Sequence, residues 1–300
     1  MADRRLQVFH AVAKHLSFTR AADALFMTQP AVTFQIKHLE EQLNTRLFER
    51  RHGNISLTPA GERVLSYAEK ILALSDEMET CVAEMTGEMR GPLLVGASTT
   101  IADFILPPVL AKFNALYPQV RVSLFVANSA TIESRVAAHA VDVGLIDAPV
   151  GLPALASQIF CEDELVAIFA PDYPLASLKS VTPKVLAEHE FISREPGSGT
   201  RTITDAYFCK QKILPETLKT LIELGSPEAL KSVVASGLGF AIVSRAIVEK
   251  ERQLGTLKAI PLKPSLKRSL SLIYPESRFQ SRLSSTFIDF AKRQLKEAAL

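Results

Sequence analysis

Over its first ninety residues the chain repeats apolar side chains at helical steps. Residues 4–16 carry Leu6, Phe9, Val12, Ala13 and Leu16 at that spacing, which predicts a first, supporting helix. Residues 19–25 make a short second helix, with Ala21, Ala22 and Ala24 small enough for neighbouring helices to approach closely. A third helix starts at Thr28, whose hydroxyl is placed to cap the free N–H groups of the first turn. Pro30 lies inside that turn, where its missing N–H costs nothing. Val32, Ile36, Leu39 and Leu43 then stripe one face, leaving Gln29, Thr33, Lys37 and the edge residue Phe34 on another. Residues 46–58 alternate and turn at Gly53-Asn54, as a two-stranded wing with Arg50, Arg51 and His52 at its tip. Thr58 and Pro59 open a long helix that runs to about residue 88. Within it Val64, Ala68, Ile71, Ser75, Met78, Val82, Met85 and Met89 form a heptad seam with one polar position, as a dimerising linker would.

After Gly91-Pro92 the pattern changes to strand-length apolar runs alternating with helical segments. LLVGAS, a helix over FILPPVLAKFNALYP, VRVSLFVAN, a helix over residues 131–140 and VDVGLIDA form one series. ELVAIFAP, EFISRE, a helix near residues 200–212, LKTLIEL, a helix over residues 226–235, FAIVSR and LKAIPL form a second. SLSLIYPE and a helix over residues 282–296 close the chain. This rhythm predicts two α/β subdomains built on largely parallel sheets.

Composition narrows the class without adding an activity. With 300 residues, 47% of them apolar and 22% charged, the chain can bury a sizeable core in more than one domain. No apolar run is long enough for a membrane span, and the N-terminus lacks a secretory h-region. Cys81, Cys161 and Cys209 are unclustered, which fits a reduced cytoplasm and no zinc site. The net charge of +2 is unremarkable, but eight of the Lys and Arg residues against five Asp and Glu fall in residues 1–60. Such a local excess suits phosphate contacts.

The N-terminal run closely resembles the winged helix–turn–helix of the LysR-type transcriptional regulators. Leu6, Phe9, Ser17, Phe18, Ala21, Ala22, Leu25, Gln29, Pro30, Ala31, Ile36, Leu39, Glu40, Leu47, Phe48, Arg50, Leu57, Thr58, Gly61 and Glu62 carry the likeness, which continues more loosely to the C-terminus. The resemblance implies an all-α winged helix–turn–helix over residues 1–59 and a dimerising linker helix over 60–90. It implies an effector-binding domain over 91–300, resembling periplasmic solute-binding proteins. Subdomain I then comprises 91–163 and 266–300, and subdomain II 164–265. The implied partners are an operator duplex, a small effector and further copies of the chain as a dimer or tetramer, with RNA polymerase as another candidate. The expected DNA contacts are Thr28, Gln29, Pro30, Thr33, Phe34, Lys37, Arg50, Arg51 and His52. Many family members have Arg where this chain has Phe34; a phenyl ring meets a thymine methyl but cannot fork onto guanine.

In α/β sheets, ligands gather at strand C-termini and helix N-termini. Three such ends here are rich in hydroxyls: Ser98, Thr99 and Thr100; Asn128 and Ser129; and Ser198, Thr200 and Arg201 within SREPGSGTR. They describe a cleft for a small anion, with Arg201 supplying charge. The SREPGSGTR run resembles the sulfur-assimilation and carbon-fixation branches of the family, whose effectors are oxyanions such as sulfite or sulfate, or phosphorylated metabolites. The scarcity of Lys in these loops places a small inorganic oxyanion slightly ahead. Catalysis and cofactors are not expected. PGSGT lacks the Lys of a P-loop, Gly237-Leu-Gly239 lacks the third glycine of a dinucleotide site, and His139 and His189 have no evident partners. The alternatives are a cytoplasmic solute-binding protein of the same architecture, or a redox sensor using Cys161 and Cys209.

Overall fold

The computed structural model describes residues 3–51, 54–85, 89–276 and 281–298. The chain divides into two compact units, residues 1–91 and 92–300.

In the first unit, helices α1 (Arg4–His15), α2 (Phe18–Ala24) and α3 (Gln29–Gln42) precede a hairpin of β1 (Phe48–Arg51) and β2 (Asn54–Leu57), then the 27-residue helix α4 (Pro59–Met85). Asp3 and Ser17 cap α1 and α2 through their side chains. The core gathers Val8, Phe9 and Val12 of α1, Ala21 and Ala22 of α2, and Val32, Ile36 and Leu39 of α3 around Leu47 and Phe48. Ala24 and Leu43 are exposed, because each falls at the last turn of its helix rather than on the packed face. The wing is fastened to α4 at one close approach. The Thr58 hydroxyl donates to the Arg46 carbonyl (2.8 Å) and accepts from the Gly61 N–H (2.9 Å). A Cβ on Gly61 would lie 2.1 Å from the Leu47 carbonyl oxygen, so only glycine fits.

The predicted seam of α4 is divided. Val64 and Ala68 pack into the helix–turn–helix core. The apolar residues left open to solvent are Tyr67, Ile71, Leu74 and Met78, again at steps of four, three and four. The side chains of Val82 and Met85 lie outside the described residues.

The second unit contains β3 (Gly91–Ser98), α5 (Thr99–Phe104), α6 (Pro107–Leu116), β4 (Val120–Ala127), α7 (Ser129–Ala137), β5 (Val143–Ile146), β6 (Leu155–Phe169), α8 (Pro183–Leu186), β7 (Glu190–Arg194), α9 (Gly199–Lys210), β8 (Lys219–Leu224), α10 (Pro227–Ala235), β9 (Ala241–Ser244), α11 (Glu249–Leu254), β10 (Lys258–Pro275) and α12 (Arg282–Ala298). The single helix expected after β3 is two, because Pro107 cannot continue α5 and instead opens α6.

The sheets are mixed rather than largely parallel. β3 and β5 pair in parallel, as do β7 and β8, whereas β10 runs antiparallel to both β5 and β6, and β6 antiparallel to β9. The six-stranded order is β4-β3-β5-β10-β6-β9. The cause is the pair of long strands: β6 and β10 lie side by side from Lys258 opposite Phe169 to Pro275 opposite Leu155. LKAIPL and SLSLIYPE, expected as separate strands, are the two ends of β10, joined across a register shift between Pro261 and Leu266. Phe240 joins β7 to the β9 region through exchanges with Glu190 and Ile192. At the C-terminus, Phe287 of α12 meets Phe113 of α6 edge to face, and Phe290 packs against the same ring at a tilt.

Candidate functional site

Two sites were expected, one in each unit. In the first, α3 buries Val32, Ile36 and Leu39 while Thr28, Gln29, Pro30, Phe34 and Lys37 are exposed and Thr33 is half-buried. Thr28 occupies the N-cap position with extended backbone, but its hydroxyl makes no capping hydrogen bond. The free N–H groups of that turn are therefore not consumed by the cap, which is the arrangement that accepts a phosphate oxygen. Gln29 Nε2 donates to Thr33 Oγ1 at 2.8 Å, tying together two of the expected base-edge residues one turn apart. Lys37 lies 3.8 Å from Glu41, a solvated pair that leaves the ammonium free to exchange partners. Phe34 is 65% exposed, with its ring beside that of His38. In the wing, Arg50 stands opposite Ile55 and Arg51 opposite Asn54. The side chains of Arg50 and Arg51, and the whole of His52, lie outside the described residues.

The second site lies where three strand ends meet. Ser98 ends β3 and is the N-cap of α5; its hydroxyl is buried and has no hydrogen-bond partner. Thr100 is buried in the first turn of α5, and Thr99 Oγ1 accepts from Arg194 Nη2 at 3.1 Å. Asn128 caps α7 by accepting from the Thr131 N–H (3.0 Å), while its Nδ2 donates to the Pro196 carbonyl (3.3 Å). The Ala130 N–H donates to the carbonyl of Gly197, a residue held at φ +86°. So the loops after β4 and β7 touch directly, and the loop after β3 joins them through Arg194. Ser198 is the buried N-cap of α9 and makes no capping hydrogen bond with its side chain. Arg201 is turned the other way: it donates to Glu223 (2.5 Å) and to the Arg194 carbonyl, and lies 3.6 Å from Asp205.

Sequence reasoning missed the charged group that organises this junction. Asp147, directly after β5, accepts from the Ser129 hydroxyl (2.5 Å) and from Arg268 Nη1 (2.6 Å). The same Nη1 donates to Thr200 Oγ1 (2.8 Å), and Arg268 Nε donates to Asp163 (2.8 Å), which also accepts from Ser244 (2.7 Å). The Arg268 side chain is fully buried, and its Nη2 has no partner. A Cβ on Gly199 would lie 2.4 Å from Asp147 Oδ1, so the carboxylate presses against the first residue of α9. One signal was present: Arg268 alternates with Leu266, Leu270 and Leu272 along β10, on the side of the strand that faces the interior, where an Arg must find an anion.

Redox and metal chemistry find little support in the local environments. Burial, with Asp163 nearby, pushes the half-buried Cys161 thiol up to about 11, so the reactive thiolate is scarce at neutral pH. Cys209 is exposed. No metal-holding group of three or more His, Cys, Asp or Glu side chains occurs among the described residues. Among the same residues, no helix is long and apolar enough to cross a membrane.

Comparison with known proteins finds two family models. "Bacterial regulatory helix-turn-helix protein, lysR family" matches residues 4–62, and "LysR substrate binding domain" matches residues 86–296. A probable RuBisCO transcriptional regulator of Cyanidioschyzon merolae is 36% identical over 287 residues, covering 94% of this chain and 95% of that protein. The Synechocystis CcmR regulatory domain, solved in complex with 2-PG, is 28% identical with a TM-score of 0.63, over 68% of this chain and 97% of that one. CbnR, a LysR family transcriptional regulator, shares the fold over 99% of this chain and all of its own, with a TM-score of 0.72 at 22% identity.

Proposed function

The chain belongs to the LysR family of transcriptional regulators, and from that premise we propose that it reads DNA through α3 and the wing under the control of a small anion. It is a DNA-binding regulator with an effector-binding domain, and not an enzyme. Members of the family bind operators and small-molecule effectors and oligomerise.

The proposed DNA contacts are Gln29, Thr33 and Lys37 in the major groove. Thr28 and Pro30 lie at the helix start, Phe34 stands beside a thymine methyl, and Arg50, Arg51 and His52 reach from the wing. Two copies would associate through α4 by the open stripe Tyr67, Ile71, Leu74 and Met78, and two such dimers make a tetramer. RNA polymerase is the proposed further partner, and the cytoplasm the compartment. The functional segments are 1–59, 60–90 and 91–300, the last divided into 91–163 with 266–300, and 164–265.

The effector would sit among Ser98, Thr99, Thr100, Asn128, Ser129, Ser198, Thr200 and Arg201. One observation carries the reading: the Ser98 hydroxyl is buried without a partner, in a junction where the hydroxyl of another serine cap, Ser198, makes no capping hydrogen bond to its own helix. Buried hydroxyls are normally paired, so this one is suited to a ligand oxygen. The carbon-fixation relatives and the 2-PG complex of CcmR favour a phosphorylated metabolite over an inorganic oxyanion. That reverses the order suggested by the Lys-poor loops. Bound effector changes DNA affinity only to the extent that it prefers one subdomain arrangement.

Calorimetry on the full-length protein with 2-PG, phosphate and sulfate tests this. Binding of 2-PG ahead of sulfate is expected, weakened about tenfold by Ser98→Ala or Ser198→Ala. Absence of heat with all three anions, or affinity unchanged in both variants, refutes it.

A further inference from the structure

We propose that Asp147 is a built-in stand-in for the effector's anionic group, occupying an anion seat at the junction of the strand ends and setting the affinity of whatever displaces it. This rests on the anionic-effector reading above.

The Asp147 carboxylate sits where a bound anion would be best held. It accepts from Ser129, the first residue of α7, and presses against Gly199, the first residue of α9. Both helices direct positive ends at it. Its other oxygen takes the buried Arg268 guanidinium. Those three features are the parts of an oxyanion site, filled here by a side chain of the protein itself.

Two further observations show that the seat is built for more than Asp147. Arg268 Nη2 is buried and donates to nothing, so the guanidinium keeps unused hydrogen-bonding capacity inside the cluster. Arg268 also already has Asp163 as a counter-ion at 2.8 Å, so it needs no second carboxylate to be neutralised. Two carboxylates share the one guanidinium, so the formal charge of the group is one negative in excess. An incoming anion must overcome that charge or push the Asp147 carboxylate aside. The Ser129–Asp147–Arg268–Thr200 chain also ties the loops after β4 and β5 to α9 through hydrogen bonds, so displacing Asp147 loosens those particular ties. The cost of displacement is thereby a selectivity device. To displace Asp147, an anion must take over both hydrogen bonds that the carboxylate accepts, from Ser129 and from Arg268, which a doubly charged oxyanion does better than a monoanion.

Asp147→Asn in the full-length protein is the direct probe. The amide keeps the shape: its oxygen can accept from Arg268 and its Nδ2 can donate to the Ser129 hydroxyl. Only the charge is removed. Binding of inorganic phosphate and 2-PG is expected to tighten about tenfold or more. Asp163→Asn removes a charge from the same guanidinium but leaves a charged carboxylate in the seat, and should tighten binding by less. Unfolding of each variant followed in parallel keeps a folding defect separate from a binding effect, and Asp147→Ser, which vacates the seat with a smaller polar group, supplies a second folded variant. Wild-type binding with no gain in either Asp147 variant overturns the stand-in role while leaving the anionic effector intact. Equal gains from Asp147→Asn and Asp163→Asn overturn it also, since general charge would then explain both. Absence of anion binding in the wild type and all variants overturns the anionic-effector reading itself.

Discussion

The two ends of this protein present their chemistry in opposite ways. The helix–turn–helix unit builds its interior from neighbours in sequence and turns its working residues outward, where Gln29, Thr33, Phe34 and Lys37 wait on one helix face. The effector unit draws its working residues inward from segments more than a hundred positions apart, with Arg268 meeting Asp147 and Asp163 in the buried interior. An outward site can change one residue at a time with little effect on folding. An inward site is less free, because the buried Arg268 cation is the compensation for the carboxylates around it. Substitutions should expose this asymmetry.

The largest effect is expected at the buried hub. Arg268→Met leaves Asp147 and Asp163 without their cation and should cost the effector unit about 3–5 kcal/mol, measured by urea unfolding. The helix–turn–helix unit has one position of similar kind, the close approach at Gly61. Gly61→Ala drives a methyl into the Leu47 carbonyl and should destabilise that unit by about 1–3 kcal/mol, read as loss of DNA binding while effector binding persists. Smaller and of a different character are the outward residues. Gln29→Ala and Thr33→Ala should each cost about 1–3 kcal/mol of discrimination between preferred and scrambled duplexes without moving the unfolding midpoint. Lys37→Ala should weaken both duplexes alike and lower the salt slope by about 1. If those three variants unfolded as readily as Arg268→Met, the contrast between the two ends would fail.

The smallest effect is a pH dependence. Burial, with help from Lys14 and against Glu69, lowers the pKa of His10 on α1. The unfolded chain therefore takes up the proton before the folded one does. The stability tied to neutral His10 is complete above the ordinary histidine pKa and declines as pH falls through it toward the lower folded value. Urea midpoints of the helical unit between about pH 7.5 and about pH 5.5 should show that decline, and His10→Gln should flatten it.

The same contrast governs how much could be read from the sequence. The three helices, the wing and the start of α4 were legible because their apolar positions repeat within each element and their caps are local. The dimer seam was only half legible. Periodicity finds a stripe but not what covers it, and Val64 and Ala68 belong to the core while Tyr67 and Leu74, outside the expected seam, stand open. The mixed sheet was hidden because β10 crosses a register shift at Pro261 and Leu266, where two apolar runs look like two strands. The hydroxyl-rich strand ends were visible as local loops. Asp147, Asp163, Arg194 and Arg268 were not, since no local spacing links a carboxylate to a guanidinium a hundred residues away.

The most direct test is a fluorescence-anisotropy titration of full-length protein onto the duplex upstream of its own gene, across salt and with or without 2-PG. The account predicts salt-dependent, sequence-preferring binding whose affinity shifts with 2-PG in the wild type and shifts less in Ser98→Ala. Binding indifferent to salt and sequence, or an affinity that no phosphorylated anion moves, would contradict it.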